Sequence, residues 1–214
     1  MHKIAEYRTW VFDCDGVILN SNRVKTDAFY SAAKPWGEDA ARRLVEHHVR
    51  NGGISRYAKF EYFLKEIVGR PAVDRKELEE LIESYASQVR QGLAECEVAP
   101  GLTELRELTR GSRWMVVSGG DQAELRAVFQ TRSLAELFDG GIFGSPDTKD
   151  EILSREVASG LIAFPALFLG DSQYDYEAAS RAGLDFIFVS GWSESAYSFE
   201  SADFRVNSVG DLLG

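Results

Sequence analysis

The sequence is poor in cysteine and histidine, and it carries no excess of positive charge. Its two cysteines, Cys14 and Cys96, lie far apart and without CxxC spacing. A disulfide framework is therefore not expected, and the reducing cytoplasm is the expected location. The histidines include an adjacent pair, His47 and His48. Neighbours in sequence cannot share a metal from one helix face as an i, i+4 pair would, so both are expected on a helix surface. Lys and Arg number 24 against 34 Asp and Glu, a formal net charge of −10. With no basic stripe, no nucleic-acid partner is expected. No apolar run approaches the ~20 residues of a membrane span. The opening MHKIAEYRTW lacks the apolar centre of a signal peptide. No membrane association is expected.

What is present suits a good-sized domain, or a domain with a smaller insert: 214 residues, 44 % of them apolar and 27 % charged. TWVFD at 9–13 reads as a short buried strand. Four stretches with helical spacing follow, near 22–33, 38–50, 55–68 and 74–91. In the last, Leu78, Leu81, Ile82, Tyr85 and Val89 form one stripe. Breaks fall at Lys34-Pro35, Gly52-Gly53 and Gly69-Arg70-Pro71, and no strand is expected between about 20 and 97.

The texture changes at Ala99-Pro100-Gly101. From there the reading is helix 102–109, strand 113–118, a helix capped by Asp121 through about 131, and a strand near 141–143. It continues as helix 149–159, strand 166–170, helix 173–182, strand 186–190, and an edge strand at 204–206 before a last helical turn. Such alternation predicts an α/β fold with a doubly wound parallel sheet and an all-helical insert after the first strand.

The polar residues fall at strand ends. Asp13 and Asp15 follow the first strand, Ser118 ends the second, and Asp171 follows ALFLG. Charges there are costly unless a metal, a ligand or a solvated turn offsets them. In parallel α/β sheets ligands bind outside the carboxyl ends of the strands, so these residues are expected to converge. Ser118-Gly119-Gly120-Asp121 reads as a strand–turn–helix junction, either a plain turn or a place where backbone approaches a ligand. Thr148 and Glu151 form a T-x-x-E capping box, which makes Lys149 the first residue of its helix. A cation there opposes the helix dipole by roughly 0.3–1 kcal/mol, so its removal is expected to cost no stability, and a bound anion would reverse the sign. Asp175 fits a cap pattern with Ser172, whereas Asp171 has no such local explanation. Carboxylates in this pattern are hard oxygen ligands suited to Mg²⁺.

Taken in order, these residues resemble the four motifs of the haloacid dehalogenase superfamily: Asp13-Cys14-Asp15-Gly16-Val17, VVS ending in Ser118, Lys149, and GDSQYD with Asp171 and Asp175. The insert resembles the helical cap of the phosphoglycolate phosphatase and β-phosphoglucomutase branch. The resemblance implies a Rossmann-like core over 1–19 and 98–214 and a cap over 20–97. It implies an Mg²⁺-dependent phosphatase acting on a small phosphorylated metabolite. Asp13 would be the nucleophile and Asp15 the general acid and base. Ser118, Gly119 and Lys149 would hold the phosphoryl group. Asp13, the backbone carbonyl of Asp15, and Asp171 would hold Mg²⁺, with Asp175 binding directly or through water. Cys14 would offer only its backbone N–H. Lys25, and Arg56 in the G-x-S-R segment, would contact the rest of the substrate. The metal-free dehalogenases lack the second aspartate. The mutases have a His ten positions after it, where this chain has Lys25. A non-catalytic binding protein would have lost motif residues, and none is lost. The oligomeric state and the particular substrate are not legible.

Overall fold

Four apolar or β-branched side chains in succession, all buried, form strand β1 (Thr9–Phe12). The computed structural model describes residues 4–195 and 205–214. After β1 come helices α1 (Asn22–Ala33), α2 (Glu38–Arg50), α3 (Arg56–Tyr62) and α4 (Arg75–Glu95). Then follow α5 (Leu102–Leu108), β2 (Arg113–Asp121), α6 (Gln122–Thr131), β3 (Ile142–Ser145), α7 (Lys149–Ala158), β4 (Ala166–Gly170), α8 (Gln173–Ala182), β5 (Asp185–Val189) and β6 (Arg205–Val206).

The strands make one six-stranded parallel sheet, ordered β3-β2-β1-β4-β5-β6. Side chains alternate across it: Trp10, Phe12, Trp114, Val116, Leu167 and Leu169 enter one core, Val11, Met115, Val117 and Phe168 the other. Trp114 lies against Phe12 with ring centroids 4.6 Å apart. Both faces are covered, as an all-parallel sheet requires. The order reverses between β1 and β4, because the chain fills the β2–β3 side first and then crosses. Asp13 and Asp171 follow the carboxyl ends of these two strands, at the switch point where α/β sheets bind ligands.

The segment between β1 and β2 forms no strand. Leu19 bridges to Val98, and the Asn20 amide donates to the Glu97 carbonyl at 2.9 Å, so the chain leaves and re-enters at one place. Leu81, Tyr85, Val89 and Leu93 form the buried face of α4. The predicted stripe therefore holds at its centre, with Leu78 and Ile82 at its margin.

Two differences from the sequence reading stand out. The helix expected over 55–68 is α3 followed by a π-helical turn, Phe63–Ile67. Strand β2 does not stop at Ser118. It runs on to Asp121, and its register against β3 shifts between Val117 and Asp121, so the two glycines lie in an irregular strand rather than a turn. The edge strand is seen at Arg205–Val206, and Phe204 lies outside the described residues.

Candidate active site

Asp13, Asp171 and Asp175 come together at the β1–β4 switch point. All three are buried, and each offers a carboxylate oxygen within 4.8 Å of the others. Lys149 joins them as the first residue of α7, behind the Thr148–Glu151 capping box that the sequence predicts. Its Nζ lies 3.0 Å from Asp13 Oδ1 and also pairs with Asp175 Oδ1, with no side-chain exposure. Burial disfavours the ammonium, but the two carboxylates outweigh it and hold its pKa above the ordinary lysine value.

Asp175 has little capacity left. Its Oδ2 accepts from the Ser172 hydroxyl at 2.7 Å and from the amides of Asp171 and Ser172, and Oδ1 takes Lys149. It closes the capping box of α8 and fixes Lys149 at once. Asp171 is held by the Asn22 amide, 2.6 Å from Oδ2, and Ser193 Oγ donates to its carbonyl at 2.6 Å. Burial, then the charges of Asp13 and Asp175, push its carboxyl well above the carboxylate range. Burial likewise drives Asp13 up to about 7, against the pull of Lys149 and with the push of Asp175 and Asp15. Three buried carboxyls against one lysine leave the cluster short of positive charge, and their hard oxygens fit a divalent cation such as Mg²⁺.

Asp15 sits on the neighbouring turn with a separate partner. Lys25 Nζ is 2.5 Å from its Oδ2, and Ser21 Oγ donates to Oδ1 at 2.6 Å. Burial raises its pKa, but Lys25 and these hydrogen bonds outweigh that and hold it below its usual value. The side chain is thus an ionised proton acceptor with its own cation, lining the same chamber as Asp13 and Asp171. Gly16 follows at φ +75°, where a Cβ would stand 2.2 Å from Asp171 Oδ2. Only glycine lets the first and fourth motifs approach this closely. Cys14 packs in the core, and its amide donates to Asp13 Oδ1 at 2.7 Å.

Ser118 is buried in β2, its Oγ accepting from the Gly120 amide at 3.1 Å. At Gly119 a Cβ would stand 2.2 Å from the Gly53 carbonyl, so the β2 end and the α2–α3 loop touch backbone to backbone. Between insert and sheet lies a chamber of about 70 Å³. Asp13, Asp15, Lys25, Gly119 and Asp171 line one side, and Phe29, His48, Arg56, Lys59 and Tyr85 the other.

Some of these residues have partners that the sequence does not reveal, and others were not singled out in it. Arg56 does begin α3, but Glu124 lies 2.8 Å and Asp121 3.9 Å from its guanidinium, and the Tyr57 hydroxyl donates to Asp121 at 2.8 Å. Its charge is offset by the N-terminus of α6, partners 65 or more positions away that no local pattern reveals. His48 is a correction: its ring packs 4.5 Å from Phe29 and faces Lys59 rather than lying on a free helix surface. Lys59 and Asn22 were also missed. A signal existed for Lys59, which falls on the apolar stripe of Phe60 and Phe63.

A family model described as haloacid dehalogenase-like hydrolase matches residues 7–183. Solved structures share the architecture along nearly the whole chain. A predicted phosphatase from Clostridium acetobutylicum is 22 % identical with a TM-score of 0.73, over 96 % of each chain. A predicted phosphoglycolate phosphatase from Haemophilus somnus is 17 % identical with a TM-score of 0.72, over 97 % of each. CbbY from Rhodobacter sphaeroides, solved with phosphate, is 20 % identical with a TM-score of 0.71, over 96 % of each. No curated protein sequence matches the chain.

Proposed function

The chain belongs to the haloacid dehalogenase-like hydrolases, and from that premise we propose that it is an Mg²⁺-dependent phosphatase acting on a small phosphorylated metabolite. One observation carries the reading: Lys149 and the three buried carboxyls of Asp13, Asp171 and Asp175 meet at the sheet's switch point beside a chamber that Asp13 and Asp171 line. CbbY, of the same fold, has been solved with phosphate.

In this reading residues 20–97 are a cap over a core formed by 1–19 and 98–214. Asp13 attacks phosphorus, giving an aspartyl-phosphate that water then hydrolyses. Asp15 exchanges the proton: it delivers one to the leaving oxygen and takes one from the attacking water. Ionised beside Lys25 in the resting protein, it first takes that proton from solvent, and the attacking water returns one, so the proton balances over each turnover. Lys149 neutralises charge on the phosphoryl oxygens, aided by Ser118 and the Gly119 backbone. Asp13, the Asp15 carbonyl and Asp171 would hold Mg²⁺, with Asp175 acting directly or through water. When bound, the ion supplies positive charge that offsets both the carboxylates and the phosphoryl group. The insert excludes bulk water from the chamber.

The experiment is release of inorganic phosphate from a panel of phosphorylated metabolites, with Mg²⁺ and with excess chelator. Turnover that needs the ion is expected. Full activity in chelator would point to a metal-free hydrolase, and no release from any ester would remove the phosphatase reading.

A further inference from the structure

The first turn of α1 sends its polar side chains to the site instead of to its own backbone. Ser21 stands at the N-cap, a position where serine ordinarily bonds a helix amide, yet its side chain caps none. It donates instead to Asp15 Oδ1 at 2.6 Å, and Lys25, one turn on, takes Oδ2 of the same carboxylate. Thr26 donates to Glu194 Oε2, in the segment after β5.

Asn22 lies between them and is neither an acid nor a base. Its Nδ2 donates to Asp171 Oδ2 at 2.6 Å and to the Trp192 carbonyl at 2.9 Å. A carbonyl can only accept, so the NH₂ end of the amide faces this side, and both of its hydrogens are used. Gly16 closes the pair from a third side: a Cβ there would stand 2.4 Å from Asn22 Nδ2 and 2.2 Å from Asp171 Oδ2. The carboxylate is thus held by a side chain 149 positions away. With Oδ2 taken, its other oxygen is the one left for a cation shared with Asp13 and Asp175.

The kind of partner matters. Of the four site carboxylates, Asp13 and Asp175 share Lys149 and Asp15 has Lys25. Among the described residues Asp171 has no lysine or arginine at ion-pair distance, and its side-chain partner is a neutral amide. A hydrogen bond to one oxygen sets the rotation of a carboxylate, and a neutral donor does so without cancelling the charge that draws a cation.

We propose that Asn22 is a positioning residue for the divalent cation: from the insert, it orients the Asp171 carboxylate for the metal and leaves its charge uncancelled. The metal site is then supported from both sides of the chamber, by the end of β4 and by the first turn of α1. The proposal rests on the Mg²⁺ reading of the aspartate cluster.

Calorimetric titration of Mg²⁺ into the full chain, without substrate, tests it. Asn22→Leu keeps the size of the side chain and removes both donors. It should weaken Mg²⁺ binding about tenfold or more, as loss of a partner that orients a metal ligand does, and Asn22→Ala should agree. Thr26→Val cuts the neighbouring tie between α1 and Glu194 without touching Asp171, and should leave the Mg²⁺ affinity unchanged. Asp171→Asn sets the value for loss of the ligand itself, and melting curves verify that each variant is folded. Wild-type affinity in both Asn22 variants would overturn the proposal. So would an equal weakening by Thr26→Val, which would make docking of α1 the cause. If Asp171→Asn binds Mg²⁺ as the wild type does, or the wild type binds none, the metal reading of the cluster falls and this role of Asn22 with it. A loss in Asp171→Asn beside unchanged Asn22 variants removes the proposal alone.

Discussion

Lys149 is enclosed by carboxylates rather than by solvent, and that changes what its loss does. Judged only as a cation at a helix N-terminus, it should cost no stability to remove. Buried between Asp13 and Asp175, it leaves two like charges uncompensated when it goes. Breaking such a pair costs about 3–5 kcal/mol. Lys149→Ala should therefore lower the melting temperature as well as cut kcat/KM by about 10²–10³-fold. Calorimetry beside steady-state kinetics checks both, and an unchanged melting temperature would contradict the buried pair. Lys59, whose ammonium is pushed down by burial, has the opposite sign. The unfolded chain keeps the lysine proton up to 10.5, while the folded chain releases it near 7. Within that window the unfolded state binds more protons, so this residue's contribution to stability improves as pH rises and its penalty is full below about 7. Lys59→Met should melt higher than the wild type near neutral pH, with the gap closing in alkaline buffer. A gap that does not vary with pH would contradict the assignment. Of these residues, Asp13 and Asp171 were legible because a charge at the end of an apolar strand is anomalous by itself. The partnership of Lys25 with Asp15 and of Arg56 with Glu124 was not, since each depends on how the insert docks.

The contact between the β2 end and the α2–α3 loop is the element-scale feature that shapes the chamber. Gly119→Ala places a Cβ 2.2 Å from the Gly53 carbonyl, and backbone on both sides leaves nothing flexible to yield. The loops must separate, opening the chamber to water. Gly119→Ala should lower kcat/KM at least about tenfold, since a misplacement near 1 Å costs up to about 10²-fold, and should lower the melting temperature, since overpacking costs about 1–3 kcal/mol. Wild-type kinetics in this variant would show that the loop contact is not needed for turnover. At this scale the sequence reading was close. Helices α1, α2, α6 and α8 fall within a residue of expectation, because N-caps such as Asp121 and Ser172 are read locally. The irregular end of β2 was not, because Gly-Gly fits a turn and a bulged strand equally well, and only pairing with β3 decides.

For the whole molecule, a net charge of −10 and a carboxylate cluster with one lysine for three carboxyls point the same way. Folded protein should bind a divalent cation that the unfolded chain does not, so Mg²⁺ should raise stability by about 2.7 kcal/mol at a hundred times its Kd. Asp171→Asn should blunt that rise, and an equal Mg²⁺ shift in both proteins would move the ion elsewhere. The convergence of four distant segments was legible because parallel α/β sheets gather strand ends at one edge. The chamber was not, because its insert wall depends on three-dimensional packing. The central claim is that Asp13 is the nucleophile of a phosphatase. It is tested most directly by the rate of inorganic phosphate release from p-nitrophenyl phosphate by wild-type and Asp13→Asn proteins, in Mg²⁺, with matched folding by circular dichroism. The account predicts turnover by the wild type and background release by Asp13→Asn, whose amide keeps the shape but cannot form the acyl phosphate. Near-wild-type release by folded Asp13→Asn would contradict it.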